Sequence, residues 1–227
     1  VADTLLALQA MAAWHRAQFS LPVVGITGSN GKTVVKEWLY QLLREAEHIV
    51  RSPGSWNSQV GVPLSVWEMN DTHTLGLFEA GISEPGEMTA LAEIIAPTLG
   101  IFTNIGPAHS GNFASDQAKA EEKVKLFSHA GAVVYCREHE VVHEALRGLR
   151  GPRLLVWSRG TDAFVRLLKE TSENSGTRLS LLHAGNSFEL QLPFSDSASV
   201  ENAMHCITLL LHLGKDPAWI AQQLHLL

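Results

Sequence analysis

The feature that most restricts how this 227-residue chain can fold is a glycine-rich loop between a strand and a helix. Residues 25–33 read GITGSNGKT, and they overlap an apolar run over 23–26. From 34 to 46, apolar residues recur at the spacing of an amphipathic helix. Small residues allow backbone N–H groups to converge on phosphate oxygens in front of a helix N-terminus. The segment therefore predicts a phosphate-binding loop that follows a buried strand.

Two side chains in this loop have expected chemical roles. Lys32 would reach the β- and γ-phosphates of ATP, and the hydroxyl of Thr33 would bind Mg²⁺. The general pattern G-x-x-x-x-G-K-[ST] fails at one position, because its first glycine falls on Ile26. An ordinary glycine-rich turn with an incidental lysine is the alternative. The residues that we expect to bind the nucleotide here are Thr27, Gly28, Ser29, Asn30, Gly31, Lys32 and Thr33.

Strand-like and helical patterns alternate over the first two thirds of the chain. A helix within this region is predicted to start with Ser83 as its N-cap and Pro85 in its first turn. Repetition of strand, helix and strand requires parallel pairing with right-handed crossovers. We therefore expect an α/β fold in which helices cover both faces of a mostly parallel sheet. The further strands are predicted at 48–51, 75–79, 99–102, 132–135 and 154–157.

The pattern changes after residue 158. Strand-like segments follow at 163–169, 178–184 and 187–192, and Gly185-Asn186 between the last two predicts a two-residue hairpin turn. We expect these strands to form a small antiparallel sheet attached to the α/β body. The predicted units are a lead-in helix at 1–20, a P-loop ATP-binding body at 21–158, the antiparallel sheet at 159–196 and C-terminal helices at 197–227.

Composition argues against several classes of protein. Lys and Arg total 17 against 23 Asp and Glu, and this net charge of -6 does not suit a general nucleic-acid binder. No segment approaches the roughly 20 uninterrupted apolar residues of a membrane span. Cys136 and Cys206 lie in apolar runs, so we expect buried thiols in a reducing, cytoplasmic compartment. The chain has no initiator Met or signal peptide, and we expect a monomeric piece of a longer protein.

Several segments together resemble the central, ATP-binding domain of the Mur ligases, the family that builds the peptide stem of bacterial peptidoglycan. They are the shortened loop at 27–33, VKE at 35–37, NSQVGVP at 57–63 and the lead-in at 3–19. The resemblance covers nearly the whole chain and is densest between 23 and 127. It implies that the N-terminal substrate-binding domain and the C-terminal domain of the family lie outside this chain.

The resemblance also implies ligands for two Mg²⁺ ions. Glu79 ends a predicted strand, at the edge where open α/β sheets bind their ligands. His109 follows the next predicted strand within TNIGPAH, which resembles the second metal segment of the family. Phosphoryl transfer needs such ions because negative charge accumulates on the oxygens. The alternatives are a solvated Glu79 and one more ordinary histidine among eleven.

Lys123 is implied to be an unusual metal ligand. In most Mur ligases one lysine is carbamylated by CO₂, and the carbamate bridges the metal ions. The family pattern K-x-x-[LI]-[FY] marks that lysine, and residues 123–127 read KVKLF, whereas Lys119 lacks the trailing residues. The alternative is that Lys119, Lys123 and Lys125 form a solvated, charged helix face. The implied catalytic residues are Lys32, His109 and Lys123.

The adenine side of the resemblance depends on Asn202. The family segment H-N-x-x-N-A appears as ASVENA at 198–203, so Asn202 is retained and Ala198-Ser199 replaces the His-Asn pair. The resemblance implies that Asn202 contacts adenine, and a helix cap or a solvent-facing position is the alternative. Asn57 matches a family asparagine near the nucleotide or the substrate, and its partner is left open.

Within the family, the flanking segments favour the branch that adds D-Ala-D-Ala to UDP-N-acetylmuramoyl-tripeptide. The implied activity is an ATP-dependent ligation of an acid to an amine through an acyl phosphate, for which this piece alone is expected to be inactive. The segment 54–63 and the altered adenine motif resemble the form fused to an alanine racemase. A ligase of the folylpolyglutamate or cyanophycin synthetase type is one alternative. A nucleotide-binding switch module that ligates nothing is another.

Overall fold

The computed structural model describes residues 3–106, 110–160 and 162–227. Within these ranges, nine strands form one sheet in the order β2-β3-β1-β4-β5-β6-β7-β8-β9. The strands are β1 (Val23–Thr27), β2 (Ile49–Arg51), β3 (Leu75–Glu79), β4 (Leu99–Phe102), β5 (Ala132–Cys136), β6 (Arg153–Ser158), β7 (Val165–Glu173), β8 (Gly176–His183) and β9 (Asn186–Leu192). The helices are α1 (Thr4–Arg16), α2 (Lys32–Leu43), α3 (Gly61–Trp67), α4 (Glu87–Ile95), α5 (Asp116–Val124), α6 (Glu140–Arg147), α7 (Ser197–His212) and α8 (Pro217–Leu224).

Strand β1 lies in the middle of the parallel part of the sheet. It pairs in parallel with β3 on one side and β4 on the other, so that Ile26 lies beside Glu79 and Thr27 beside Phe102. Every residue of β1 and of β3 is buried, as parallel strands covered on both faces require. The predicted α/β fold is confirmed. The loops that leave the carboxyl ends of these three strands therefore meet at one edge of the sheet.

The two faces of the sheet carry separate hydrophobic clusters. One cluster packs α2, α7 and α8 onto the sheet, through side chains such as Leu39, Met204 and Ile220. The other packs α1, α3, α4, α5 and α6 onto the opposite face, with Met88 and Val142 among its fully buried members. Removal of this apolar surface from water is the main favourable contribution to folding. The sheet edge that carries the loops is thus held from both sides.

Strands β7, β8 and β9 are antiparallel to one another, as predicted, and they continue the main sheet through a parallel pairing of β6 with β7. The hairpin turn between β8 and β9 consists of Ala184 and Gly185. The predicted turn, Gly185-Asn186, is wrong by one residue, because Asn186 already pairs with His183. Both turn residues have positive φ, 49° and 81°, as a two-residue type I′ turn requires. A glycine satisfies either central position of such a turn, so the dipeptide alone does not define the register.

Helix α4 begins later than predicted. Its N-cap is Gly86, with φ at 92°, and the predicted N-cap Ser83 lies in the turn before the helix. The carboxylate of Glu87 accepts the backbone N–H of Ser83 at 2.6 Å and of Glu84 at 3.0 Å. Because these N–H groups bond to a side chain, the segment forms a compact turn instead of the first turn of the helix.

The C-terminal helices and the two thiols follow the sequence predictions closely. Helix α7 starts at Ser197, because Asp196 caps it by accepting the Ser199 N–H at 2.8 Å. Cys136 and Cys206 are buried free thiols, as expected. Among the described helices, none is both long enough and apolar enough to cross a membrane.

Replacement of Gly100 should test the close packing beneath β4. A Cβ added at Gly100 would lie 2.4 Å from Cδ1 of Phe127, whose ring is fully buried. Overpacking of this kind should lower the free energy of unfolding of Gly100→Ala by about 1–3 kcal/mol, measured by urea denaturation. Gly131→Ala is the matched control, since a Cβ added there would lie 3.5 Å from the Thr98 carbonyl oxygen, an ordinary van der Waals distance. Equal stability of the two variants would contradict the packing described here.

Candidate functional site

The glycine-rich loop leaves β1 at the edge where the loops after β3 and β4 also lie. Gly28 has φ at 141°, and a Cβ there would lie 1.9 Å from Thr103 Oγ1. Gly31 has φ at 81°, caps α2, and would place a Cβ 2.3 Å from Asn202 Oδ1. Only glycine fits both the backbone conformation and the close approach at these positions. The loop is therefore a tight cradle at the N-terminus of α2, as the sequence pattern predicts.

Lys32 folds back over this cradle. Its Nζ donates to the carbonyl oxygens of Gly28 at 3.0 Å and Ser29 at 3.1 Å. Burial lowers the pKa of Lys32, and nearby Lys119 acts in the same direction, whereas the carboxylate of Glu79 opposes the shift. The ammonium group is thus held directly above the loop that the sequence predicts to hold phosphate groups.

Thr33 and Glu79, both predicted as metal ligands, are in direct contact. Thr33 Oγ1 donates to Glu79 Oε2 at 3.0 Å, and Asn57 Nδ2 donates to the same oxygen at 3.2 Å. Glu79 is completely buried, so a solvated strand-end glutamate is excluded. The contact also identifies a partner for Asn57, which the sequence leaves open. Thr33 lies in the first turn of α2, Asn57 in the loop after β2, and Glu79 at the end of β3.

The residues present at this point fit a magnesium ion. Mg²⁺ prefers oxygen ligands and is usually held by one or two carboxylates together with phosphate oxygens and water. Thr33 and Glu79 supply a hydroxyl and a carboxylate, and the Thr33 oxygen lies 3.0 Å from Glu79 Oε2. In those residues, no three His, Cys, Asp or Glu side chains cluster as a ready-made metal site. His109 lies outside the described residues.

The lysines of α5 divide between the site and the solvent. Lys119 and Lys123 are 2% and 3% exposed, so the alternative of a solvated face is excluded for both, whereas the Lys125 side chain is 49% exposed. Lys119 Nζ donates to the Gly106 carbonyl oxygen at 2.6 Å. Burial, together with the charges of Lys32 and Lys119, lowers the pKa of Lys123 to about 7. The ammonium group of Lys123 therefore loses its proton more readily than that of an exposed lysine.

A cavity of about 320 Å³ opens between the glycine-rich loop and these lysines. Among the described residues, no carboxylate forms an ion pair with Lys123, although the cavity concentrates three lysines. Such a concentration of positive charge in a partly enclosed cleft suits an anionic ligand. The residues that line the cavity are Gly28, Ser29, Lys32, Asn57, Ser58, Gln59, Val60, Gly81, Ile82, Ser83, Glu87, Lys119 and Lys123.

The loop after β4 contributes contacts that the sequence does not reveal. The Asn104 carbonyl oxygen accepts the Ser29 N–H at 2.8 Å, and Asn104 Oδ1 accepts the Asn30 N–H at 3.1 Å. Thr103 Oγ1 donates to the Asn30 carbonyl oxygen at 2.6 Å. Thr27 differs from the other loop residues, because its buried hydroxyl donates to the Ala80 carbonyl oxygen at 2.8 Å. Its side chain therefore faces the strand ends, and only its main chain adjoins the cradle.

Asn202 lies on the other side of the cradle, in the lining of a second cavity of about 720 Å³. It is 8% exposed and does not cap α7, so the two alternatives for this residue are excluded. Its neighbour Glu201 accepts hydrogen bonds from His139 Nε2 at 2.9 Å and Asn104 Nδ2 at 3.3 Å. The cradle thus separates a cationic cavity from a polar cavity of mixed charge.

Comparisons with known proteins agree with the family resemblance seen in the sequence. Residues 26–210 match the family model of the Mur ligase middle domain. The UDP-N-acetylmuramoyl-tripeptide–D-alanyl-D-alanine ligase of Treponema pallidum is 44% identical over 129 residues, which are 56% of this chain and 28% of that protein. The ligase of the same name from Mycobacterium tuberculosis is 30% identical over 230 residues, covering 98% of this chain and 45% of that protein. The crystal structure of MurF from Acinetobacter baumannii has a TM-score of 0.90 at 27% identity, covering 99% of this chain and 50% of the other.

The lengths of these proteins also matter for what the chain can do alone. Where the match runs along nearly the whole chain, the chain spans about half the length of the curated relative or solved structure. The parts of those proteins outside the match have no counterpart among the residues described here. Any activity that needs them belongs to a longer protein.

Replacement of Lys32 tests whether the cradle binds phosphate groups. Lys32→Ala should lower the affinity for Mg-ATP about 100-fold, because a charge-assisted hydrogen bond to phosphate is lost without disturbing the buried core. Isothermal titration calorimetry measures the change. Lys169→Ala, which removes an equal charge from an exposed position on β7, should leave the affinity unchanged. Unchanged affinity in a folded Lys32→Ala protein would contradict the role of the loop.

Proposed function

The chain belongs to the Mur ligase family through its middle domain, and we propose that it is the ATP-binding part of a ligase that adds D-Ala-D-Ala to UDP-N-acetylmuramoyl-tripeptide. The relatives that carry this name support the choice of substrates. The observation that carries the proposal is the contact between Thr33 and Glu79 beside a phosphate cradle that also faces three lysines. This arrangement serves phosphoryl transfer, in which positioning and charge neutralisation supply most of the catalysis.

The proposed reaction has two steps. A carboxylate oxygen of the tripeptide attacks the γ-phosphorus of ATP, the bond to the bridging oxygen breaks, and an acyl phosphate and ADP form. The amine of D-Ala-D-Ala then attacks the acyl carbon, loses a proton, and displaces inorganic phosphate through a tetrahedral intermediate. Lys32 and the N-terminus of α2 would stabilise the charge that develops on the phosphate oxygens.

We assign the metal role to the residues that face the cradle. Thr33 and Glu79 would hold Mg²⁺, and His109, outside the described residues, is proposed for a second ion. Bound Mg²⁺ would neutralise charge on the phosphate oxygens and orient them for in-line displacement. Asn57 would keep Glu79 Oε2 turned toward Thr33, because it donates to that oxygen at 3.2 Å.

Lys123 is proposed to carry a carbamate in the active enzyme. After its ammonium group gives one proton to solvent, the neutral amine nitrogen would attack the carbon of CO₂ and lose a second proton to solvent, which leaves an anionic carbamate that can serve as an oxygen ligand. Support comes from the KVKLF motif, from the burial of Lys123, and from the two lysines that face it in the same cavity. An anion between Lys32 and Lys119 would replace a repulsion with two favourable interactions. A buried lysine with cationic neighbours otherwise carries a desolvation cost that is not offset.

The nucleoside is proposed to occupy the cavity beside Asn202, so that the triphosphate crosses the cradle toward Lys32. Residues 21–158 would form the ATP-binding body, with a lead-in helix over 1–20. The strands within 159–196 and the helices over 197–227 would complete the domain and wall off the nucleoside cavity. Other domains of a full-length protein would bring the tripeptide and the dipeptide to this site. This chain alone would bind Mg-ATP without appreciable turnover.

A phosphate-release assay on the full-length protein tests the proposal. Rapid phosphate release should require both UDP-N-acetylmuramoyl-tripeptide and D-Ala-D-Ala, since each substrate acts in one of the two steps. Mass spectrometry should show the tripeptide extended by the dipeptide. Phosphate release that ignores the tripeptide would favour a free-standing nucleotidase or switch, and release with another carboxylate substrate would favour a different ligase of the superfamily.

Replacement of Lys123 tests the carbamate. Full-length Lys123→Ala should lose ligase activity, and acetate or formate should partly restore it by supplying the missing carboxylate. Lys125→Ala is the matched control, because this exposed lysine of the adjoining 3-10 turn should be replaceable with little effect. If Lys123→Ala turned over like the wild type and did not respond to carboxylates, the carbamate proposal would be contradicted and Lys123 would have only a structural role.

A further inference from the structure

Lys36 is a completely buried lysine that the proposed reaction does not use. It lies on α2, one turn after Thr33. Its Nζ is 3.0 Å from Glu79 Oε1 and 3.0 Å from Glu37 Oε1, and it donates to the Ser52 carbonyl oxygen at 2.7 Å. It also donates to the Gly54 carbonyl oxygen. The ammonium group is therefore surrounded by acceptors that belong to α2, β3 and the loop after β2.

The position of Lys36 on α2 explains how it reaches the metal site. Residues three apart on a helix face the same side, so Thr33 and Lys36 both point at the end of β3. Thr33 contacts Oε2 of Glu79, and Lys36 lies next to Oε1. A single helix thus holds the two oxygens of one buried carboxylate from neighbouring turns.

The chemistry of the two Glu79 oxygens differs in a way that depends on Lys36. Oε2 accepts from Thr33 and Asn57, whereas Oε1 forms an ion pair with Lys36 at 3.0 Å. A buried carboxylate without a compensating cation is strongly unfavourable. Lys36 therefore keeps Oε1 turned away from the cradle, and Oε2 is left facing it.

We propose that Lys36 is a positioning residue for the metal site, which orients Glu79 so that Oε2 faces Thr33 and the nucleotide-bound cation. The inference rests on the proposed role of Glu79 as a metal ligand. Lys36 touches neither the nucleotide nor the metal in this arrangement, and it acts only through Glu79. Partners that orient a metal ligand in this way typically contribute about 10- to 100-fold to metal affinity.

Arg51 supplies a matched control, because it pairs with Glu37 at the end of the ion-pair network that is opposite to Glu79. Arg51 Nη1 lies 3.1 Å from Glu37 Oε1, and its guanidinium stacks over Tyr40 at 4.0 Å. Arg51 and Glu37 are partly exposed, in contrast to Lys36 and Glu79. Arg51→Met therefore removes a cation from the network without touching the metal ligand.

The test measures how much Mg²⁺ strengthens nucleotide binding by the full-length protein. Titration calorimetry gives the dissociation constant of ADP in Mg²⁺ and in EDTA, and their ratio is the metal-linked gain. Lys36→Met should reduce this gain by about 10-fold or more, while the affinity in EDTA stays within about twofold of the wild type. Glu79→Gln should abolish the gain, and Arg51→Met should leave it unchanged.

The double variant shows whether Lys36 acts through Glu79. If it does, Lys36→Met should not change the affinity for ADP in Mg²⁺ any further in the Glu79→Gln background. An additional loss of that affinity in the double variant would overturn the proposal. A metal-linked gain in Lys36→Met that equals or exceeds that of the wild type would overturn it as well. A full gain in Glu79→Gln would instead refute the metal role of Glu79 within the proposed function.

A measurement on the wild-type protein covers the case in which Lys36→Met does not fold. Burial should slow proton exchange at the Lys36 ammonium enough for its ¹⁵N resonance to be observed by NMR. Mg²⁺ with ADP should shift this resonance, and ADP in EDTA should not. Only the metal would partly neutralise the Glu79 carboxylate that lies beside the Lys36 ammonium group. A Lys36 resonance that ignores Mg²⁺ would overturn the proposal.

Discussion

The parallel pairing of β1 with β3 and β4 is the constraint on which the whole candidate site depends. It places the glycine-rich loop, Glu79 and the loop that begins at Thr103 at the carboxyl ends of three adjacent strands. Polar groups are costly to bury, and here each loop satisfies the groups of its neighbours: Thr27 bonds to Ala80, and Asn104 bonds to the backbone of Ser29. Loss of this register would separate the cradle from Glu79 even if every strand still formed.

Local charge in the site opposes the charge of the whole chain. The chain carries a net charge of -6, yet Lys32, Lys119 and Lys123 line one cavity. Glu79 offsets part of the charge of Lys32, but it is itself paired with Lys36. The proposed nucleoside triphosphate would supply further negative charge, so that an acidic protein could bind a polyanion at one point. Net charge therefore argues against a general nucleic-acid binder and is compatible with a local phosphate site.

Much of the fold follows from the sequence because local patterns define the strands, and β3 and β4 have the bounds that the apolar runs predict. The contact between Thr33 and Glu79 also follows, once Glu79 is placed at the end of its strand and Thr33 at the start of the helix after the glycine-rich loop. The role of Lys36 does not follow, because it depends on an ion pair with Glu79, which is distant in sequence. Position around the helix determines which lysines are buried. Lys119 and Lys123 are four residues apart and share a buried face, whereas Lys125 is turned outward. Residue type alone treats these three lysines as equal.

The packing of the two layers explains why the buried charges are tolerated. Helix α2 carries Thr33 and Lys36 and belongs to the hydrophobic cluster on one face, whereas α5 carries Lys119 and Lys123 and belongs to the cluster on the other. Each helix is anchored by apolar side chains and brings its polar residues to the same sheet edge from opposite sides. The free energy gained by burying apolar side chains in the two clusters therefore offsets the cost of desolvating these lysines. Groups held in this way are oriented before any ligand arrives, which is the condition for electrostatic stabilisation of a phosphoryl transfer.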